Sequence, residues 1–313
     1  MPYSPDDARS QLASAASAPA APPLVDYSGM EYAEFAALPP ARTVDGRRDW
    51  FARGQNLVVG WSEVDGPSDF EDRDESEEYV VISVDEGVSL LVEAGGERVE
   101  VPGRRLVVVP PGPSRVSARG RGRVIRLIRS TALDLVALAA NAASYGEPHH
   151  NVPAFRAWPA PADGYRVRVY DLTVPTLPGS PFRLFRCTTV MVNWIAPQEG
   201  PRDPRKLSPH HHDDFEQYSL ALAGEYVHHI RWPWTTDRTV WREDEHRLIG
   251  APSLAVIPPP SEHTSEAVGA GTNRLVDVFS PPRVDFSSME GWVLNAEDYP
   301  MPAPQPTFDG APA

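Results

Sequence analysis

Proline occupies 35 of the 313 positions, about twice the usual share of about 5%, and it recurs along the whole length. Each proline removes a backbone donor and clashes with the preceding helical turn. Long uninterrupted helices are therefore excluded, and an all-helical bundle with them. The chain must build its core from short elements, and apolar residues at 41% suffice for one. At roughly 100–200 residues per domain, the length allows two domains or one large one.

Charge and cysteine usage narrow the function classes. Lys+Arg number 29 against 43 Asp+Glu, a net charge of −14. A phosphate backbone or an anionic lipid surface repels such a chain, so neither nucleic acid nor membrane is expected as a partner. The single Cys187 can form neither an internal disulfide nor a CxxC zinc site, which fits a reducing compartment. Asp6 and Asp7 without an apolar run do not read as a signal peptide. The most apolar helical candidate, Thr131 to Ala143, is too short to span a bilayer and contains Asp134. These features predict a cytoplasmic protein.

Composition divides the chain into five parts. Residues 1–45 form an Ala/Pro-rich arm; the first 42 contain 11 Ala and 7 Pro and have little to bury. The arm is expected to lack fixed structure, with docking over a partner subunit as its functional alternative. Residues 46–130 carry short apolar runs such as Tyr79-Val-Val-Ile-Ser-Val84 and Leu106-Val-Val-Val109, punctuated by Gly and Pro. Closely spaced strands of this kind indicate a sandwich or barrel. Residues 131–160 form a connector with one Ala/Leu-rich helix over 132–143. Residues 161–300 are a second β block, and 301–313 a tail. The two blocks share an inner order of charged segment, strands and Pro-rich turn, as a diverged duplication would.

The stretch Pro209-His210-His211-His212-Asp213-Asp214-Phe215-Glu216-Gln217 carries the chemistry. In an extended chain alternate side chains share a face, so His210 and His212 project together and His211 points away. Gly224 follows, and Gly250 to His263 adds a strand, the turn Pro258-Pro-Pro260 and a third imidazole. Nitrogen-rich ligation suits Fe, Ni, Cu, Zn or Co and disfavours Mg or Ca. Counting forward from His212 selects Glu216 as the next polar group, and counting back from Gly224 selects Gln217. Alternation puts Glu216 with Tyr218 and Leu220, and Gln217 with Ser219, which favours Gln217 as the inward residue.

With His210-x-His212, Glu216 or Gln217, Gly224, Gly250 and His263, the sequence resembles the cupin superfamily over about residues 185–283. The resemblance implies an all-β fold, two cupin-type double-stranded β-helix barrels joined by a short helical connector. It further implies one divalent transition metal per chain on His210, His212, His263 and Gln217. Fe(II) is favoured, with Zn, Ni, Mn or Cu possible, and a homodimer is expected. Departures are Pro260 where the family has Gly, and no Gly before His210. The first block resembles a second barrel without histidine ligands: Asp72-x-Asp74-x-x-x-Glu78 has the ligand spacing, and Arg115 stands in the histidine place. A guanidinium paired with these acids could replace the metal there; the other reading is a solvated acidic loop. The arginines from Arg115 to Arg129 read as one outward strand face.

Among the remaining candidates, Glu216, Gln217, His228 and His229 could move protons or bind substrate, and only one of His228 and His229 can face the barrel. His246 reads as a solvated loop residue. Tyr218, Trp232 and Trp234 could line a pocket or belong to the core. Cys187 has no His partner in sequence. The resemblance implies an Fe(II) dioxygenase of a small organic acid or phenolic compound. The alternatives are a redox-neutral isomerase or hydrolase, and a binding protein without turnover.

Overall fold

The computed structural model describes residues 27–235 and 237–303. Residues 1–26 of the expected arm and 304–313 of the tail lie outside the described residues. The fold is all-β with two short α-helices, Leu133–Val136 and Val284–Ser287. It consists of two cupin-type units, each made of packed antiparallel strands whose sheets run as open paths and do not close into cylinders.

The N-terminal unit is organised by one long strand, Gly112–Arg129. Its first half pairs with Val88–Ala94, and its second half pairs with Leu57–Asp65 and with Tyr79–Ser83. It can serve both because it bends at Gly120, where φ is +92° and a Cβ would lie 2.2 Å from the Gly87 carbonyl oxygen. Only glycine tolerates that turn. Valines and leucines that alternate along these strands fill the interior around Val81, Val92, Val107 and Val116.

The same interior contains an ionic cluster that the sequence reading missed. Arg126 is 3% exposed and donates to Glu71 Oε2 at 2.7 Å. Arg47 donates to Asp49 at 3.0 Å and to Glu71 at 3.1 Å, and the two guanidiniums lie 4.2 and 4.4 Å from the centre of the Phe70 ring. Arg126 therefore does not belong to an outward face. Arg115 does pair with Asp72, with two bonds of 2.8 Å, but on the surface and not inside the unit.

The C-terminal unit packs a sheet containing Ser253–Ile257, Glu216–Ala223, Thr272–Ser280 and Met191–Trp194 against a three-stranded sheet of Glu245–Gly250, Glu225–Arg231 and Glu262–Ala267. The strand Glu245–Gly250 corrects the loop expected around His246: only Ile249 is buried along it, so its sequence carries little apolar periodicity. The expected helix over 132–143 is also corrected. The α-helix is four residues long, and a 3-10 turn, Ala142–Tyr145, follows it. A backbone bond from Ala140 N–H to Phe51 O ties this segment to the sheet instead.

The units exchange edge strands. Within the expected arm, Glu31–Glu34 forms a strand that pairs with Ser253–Ile257 of the C-terminal unit. Conversely Arg168–Asp171, which follows the connector, pairs with Arg105–Val109 of the N-terminal unit. The described part of the arm thus has fixed structure: backbone pairing to an otherwise open edge satisfies its donors and acceptors.

Between the units the two sheets share one apolar core, with Trp61, Ile82, Leu127, Trp194, Leu220 and Val278 all 2% exposed or less. Two buried carboxylates cross this core in opposite directions. Glu216 accepts from the backbone N–H groups of Gln55 (2.9 Å) and Asn56 (3.0 Å) and from Tyr218 OH (2.8 Å). Glu78 accepts from the N–H and hydroxyl of Thr188 (both 2.9 Å) and from Tyr299 OH (3.0 Å). Each acid stands at the start of a central strand and holds a hairpin turn of the other unit. Gly54 makes room for this: a Cβ there would lie 2.3 Å from Tyr218 OH and 2.8 Å from Glu216 Oε1. Removal of Glu216 leaves two backbone donors and a phenol unpaired in a dry interface, at about 1–3 kcal/mol per stranded group. Glu216→Ala is expected to lower the unfolding free energy by about 3 kcal/mol or more in urea titrations. A loss below about 1 kcal/mol would show that the clamp is not structural.

Candidate metal and substrate site

The three histidines of the sequence motif converge at one end of the C-terminal unit. His210 and His263 form an isolated backbone bridge, His210 N–H to His263 O at 3.1 Å and His263 N–H to His210 O at 2.8 Å. Their rings are consequently 4.5 Å apart between centroids, and His212 lies 5.0 Å from His263 and 6.4 Å from His210. His211 points to solvent.

Hydrogen bonding sets the tautomers. His210 Nδ1 lies 2.9 Å from the Ser208 carbonyl oxygen, and His263 Nδ1 lies 3.0 Å from that of Ser261. A carbonyl only accepts, so each Nδ1 carries a hydrogen, and in the neutral ring Nε2 is then the nitrogen with the lone pair. His212 is stacked on Phe215 at 4.0 Å and buried. Neither of its ring nitrogens has a hydrogen-bond partner of ordinary geometry, although the Gln217 side chain and the Phe215 backbone come close. Burial pushes its pKa well below the usual range, and His263 and Arg283 push in the same direction. An imidazole kept neutral, with both nitrogens buried and unpaired, is costly as it stands and is the donor chemistry a transition metal takes. Among the described residues, no group of three or more His, Cys, Asp or Glu side chains is arranged so that it could hold a metal ion; of the three imidazoles, His210 and His212 are the widest pair. The donors that are present fit a metal ion in their chemistry.

Gln217, not Glu216, reaches this site. Its Oε1 lies 3.2 Å from His263 Nε2, and its amide nitrogen donates to Ser219 Oγ at 3.1 Å. Glu216 points to the opposite face of the same strand, into the interface between units. That placement corrects its candidacy as a ligand or proton carrier.

A cavity of about 520 Å³ opens beside the imidazoles, lined by His210, Gln217, His263, Asp277, Arg283 and the rings of Phe182, Phe279 and Phe286. Arg283 is 4% exposed. Its Nε and Nη2 donate to Asp285 at 3.0 and 2.6 Å, and its guanidinium lies 3.5 Å from the Phe286 ring centre. Asp277 and Arg283 were not among the expected site residues. Asp277 did carry a signal, as the one acid in the apolar strand Leu275-Val-Asp-Val-Phe279, on the face shared with Leu275 and Phe279.

His228 and His229, like His212, are not among the residues that line the cavity. Their strand presents Tyr226 there. His228 faces inward behind the cavity wall, with Nδ1 2.9 Å from Ser265 Oγ and its ring 6.2 Å from Tyr32. His229 faces outward, between His246 (Nδ1 to Nδ1, 2.7 Å) and Glu266 (2.9 Å). Tyr218 lies in the interface, Trp232 in a small core with Tyr27 and Ile257, and Trp234 is exposed and stacked on Trp241. Cys187 is buried against Thr189 Oγ1 at 3.2 Å, and burial pushes its thiol up to about 12.

No family model matches the chain, and no curated protein does. Solved structures share its fold. A crystal structure of AerE from Microcystis aeruginosa superposes with a TM-score of 0.53 at 10% identity, over 77% of this chain and 95% of that one. An oxalate decarboxylase from Bacillus subtilis gives 0.54 at 12% identity, over 82% and 78%. A Lactobacillus farciminis oxalate decarboxylase in complex with formate gives 0.54 at 12%, over 84% and 90%. These are two-unit cupins, and at such identity the likeness is one of fold. No helix among the described residues is long and apolar enough to cross a membrane.

His228 makes the fold acid-sensitive. Burial lowers its pKa from 6.5 to about 3, so the unfolded chain binds a proton below pH 6.5 that the folded chain refuses until about pH 3. Stability is full above pH 6.5 and falls as pH drops through that window. Between pH 7 and 5 this residue accounts for a loss of about 2 kcal/mol. The urea stability of His228→Gln should fall by that much less than the wild type's over the same interval. Equal losses in both proteins would show that His228 does not set the dependence.

Proposed function

We propose, on the premise of the two-unit cupin fold, that the C-terminal unit is a metal-dependent enzyme acting on a small organic acid or phenolic compound, most simply as an Fe(II) dioxygenase. The observation that carries this reading is the buried, unpaired imidazole of His212 beside His210 and His263 at the end of a substrate-sized cavity. His210, His212, His263 and Gln217 would hold one divalent transition metal, with Fe(II) preferred and Zn, Ni, Mn or Cu compatible with the same donors. Since all four donors are neutral, the ion would keep its full charge and supply Lewis acidity and, as iron, reactivity toward dioxygen.

The chain's own residues select the substrate. Two nitrogens of Arg283 hold Asp285, while its Nη1 makes no bond among the described residues, so the guanidinium can accept an oxyanion from the cavity side. Phe182, Phe279 and Phe286 offer aromatic walls to the body of such a ligand and exclude water from it. A second reading, a redox-neutral isomerase or hydrolase, is favoured by Asp277, a carboxylate on the cavity wall able to accept a proton. The oxalate decarboxylases share the fold at 12% identity, which does not choose between the readings.

Elemental analysis of the purified protein beside a His210→Ala, His263→Ala double variant tests the centre. Near-stoichiometric iron in the wild type, lost from the variant, followed by O₂ uptake with a panel of aromatic acids and phenols, is the expected result. Bound metal with a product of unchanged mass and no O₂ uptake would select the redox-neutral reading. No metal in either protein after reconstitution with Fe(II), Ni(II) and Zn(II) would overturn both.

A further inference from the structure

The hydrogen bonds around Gln217 have a polarity that only one residue outside the histidine motif can impose. Ser219 and Asp277 are directly opposite each other on neighbouring strands. Ser219 Oγ lies 2.6 Å from Asp277 Oδ1, so its one hydrogen goes to the carboxylate and its lone pairs remain to accept. The Gln217 amide nitrogen meets both, Ser219 Oγ at 3.1 Å and Asp277 Oδ1 at 3.4 Å. A flipped amide would set its oxygen against the carboxylate. The network thus assigns the NH₂ group to the Asp277 side and the carbonyl oxygen to the His263 side, 3.2 Å from Nε2. With His263 Nδ1 donating to Ser261, the neutral ring presents its lone pair at Nε2. Two lone pairs therefore face each other, an arrangement that a cation between them turns from repulsive to attractive.

We propose that Asp277, acting through Ser219, is the positioning residue that commits Gln217 to present its carbonyl oxygen to the metal. This rests on the metal reading given above and extends it. The centre then has only neutral donors in contact with the ion, and its compensating negative charge stands one residue further back. That carboxylate belongs to the strand Thr272–Ser280 and to neither histidine segment. Partners of this kind, which orient a ligand without touching the metal, change metal affinity by about 10–100-fold when removed.

The test uses Co(II), whose visible absorption reports the donors around it, titrated into the full-length metal-free protein against a competing chelator. Asp277→Asn preserves shape but can donate to Gln217 as readily as accept, so it removes the bias on the amide. Its Co(II) affinity is expected to fall about 10–100-fold, with a shift in the visible bands. Ser219→Ala breaks the relay from the other side and should shift the bands in the same sense with a smaller loss; it decides the matter if Asp277→Asn does not fold. A purely structural role would lower thermal stability and leave spectrum and affinity unchanged, and that result overturns the inference while the metal centre stands. Absence of Co(II) binding by the wild type would overturn the centre and the inference together.

Discussion

Two buried carboxylates hold the two halves of this molecule in register. Glu78 and Glu216 occupy corresponding places, each at the head of a central strand, and each reaches across a shared apolar core to the hairpin turn of the other unit. A carboxyl group in such a place is costly unless it is well supplied with hydrogen-bond donors, and each acid meets three. The arrangement has a chemical consequence within the C-terminal unit. A strand can send only alternate residues to one face. With Glu216 committed to the interface, the next residue, Gln217, meets the imidazoles. Neutrality of the donor set follows from the way the halves are joined.

The halves have diverged in what fills them. In the C-terminal unit the interior end is lined by imidazoles, an amide and a cavity. In the N-terminal unit no histidine is available, and Arg47, Arg126, Asp49 and Glu71 close around Phe70. The acids Asp72 and Asp74 repeat the spacing of His210 and His212, yet Asp72 sits on the surface, paired with Arg115. One half therefore holds an internally compensated salt cluster, while the other gathers imidazoles and an amide beside a cavity.

Much of this could be read from residue order. The strand Ser253–Ile257 is apolar, bounded by prolines, and forms where its pattern places it. The grouping of His210, His212 and His263 is an expectation from the motif resemblance, and the count back from Gly224 leans to Gln217 over Glu216 without deciding between them. What could not be read is non-local or lacks an apolar signature. The strand Glu245–Gly250 buries only Ile249, so it lacks the alternation that marks a half-buried strand. The Ala-rich run after Ala132 has helix propensity, but contacts with the sheet override it after one turn. Arg283 follows two prolines at a strand end, and nothing in its immediate neighbours shows that it turns back toward the cavity.

The exchanged edge strands bear on modularity. Glu31–Glu34 pairs with a strand more than two hundred positions later, and Arg168–Asp171 completes the sheet that precedes it. The boundary along the chain and the boundary in space therefore do not coincide. A gene cut at the connector would yield two fragments, each carrying a strip of backbone that belongs to the other. Each sheet is thus finished by a strip of backbone from outside its own stretch of chain, and the two units are tied together by main-chain pairing as well as by side chains.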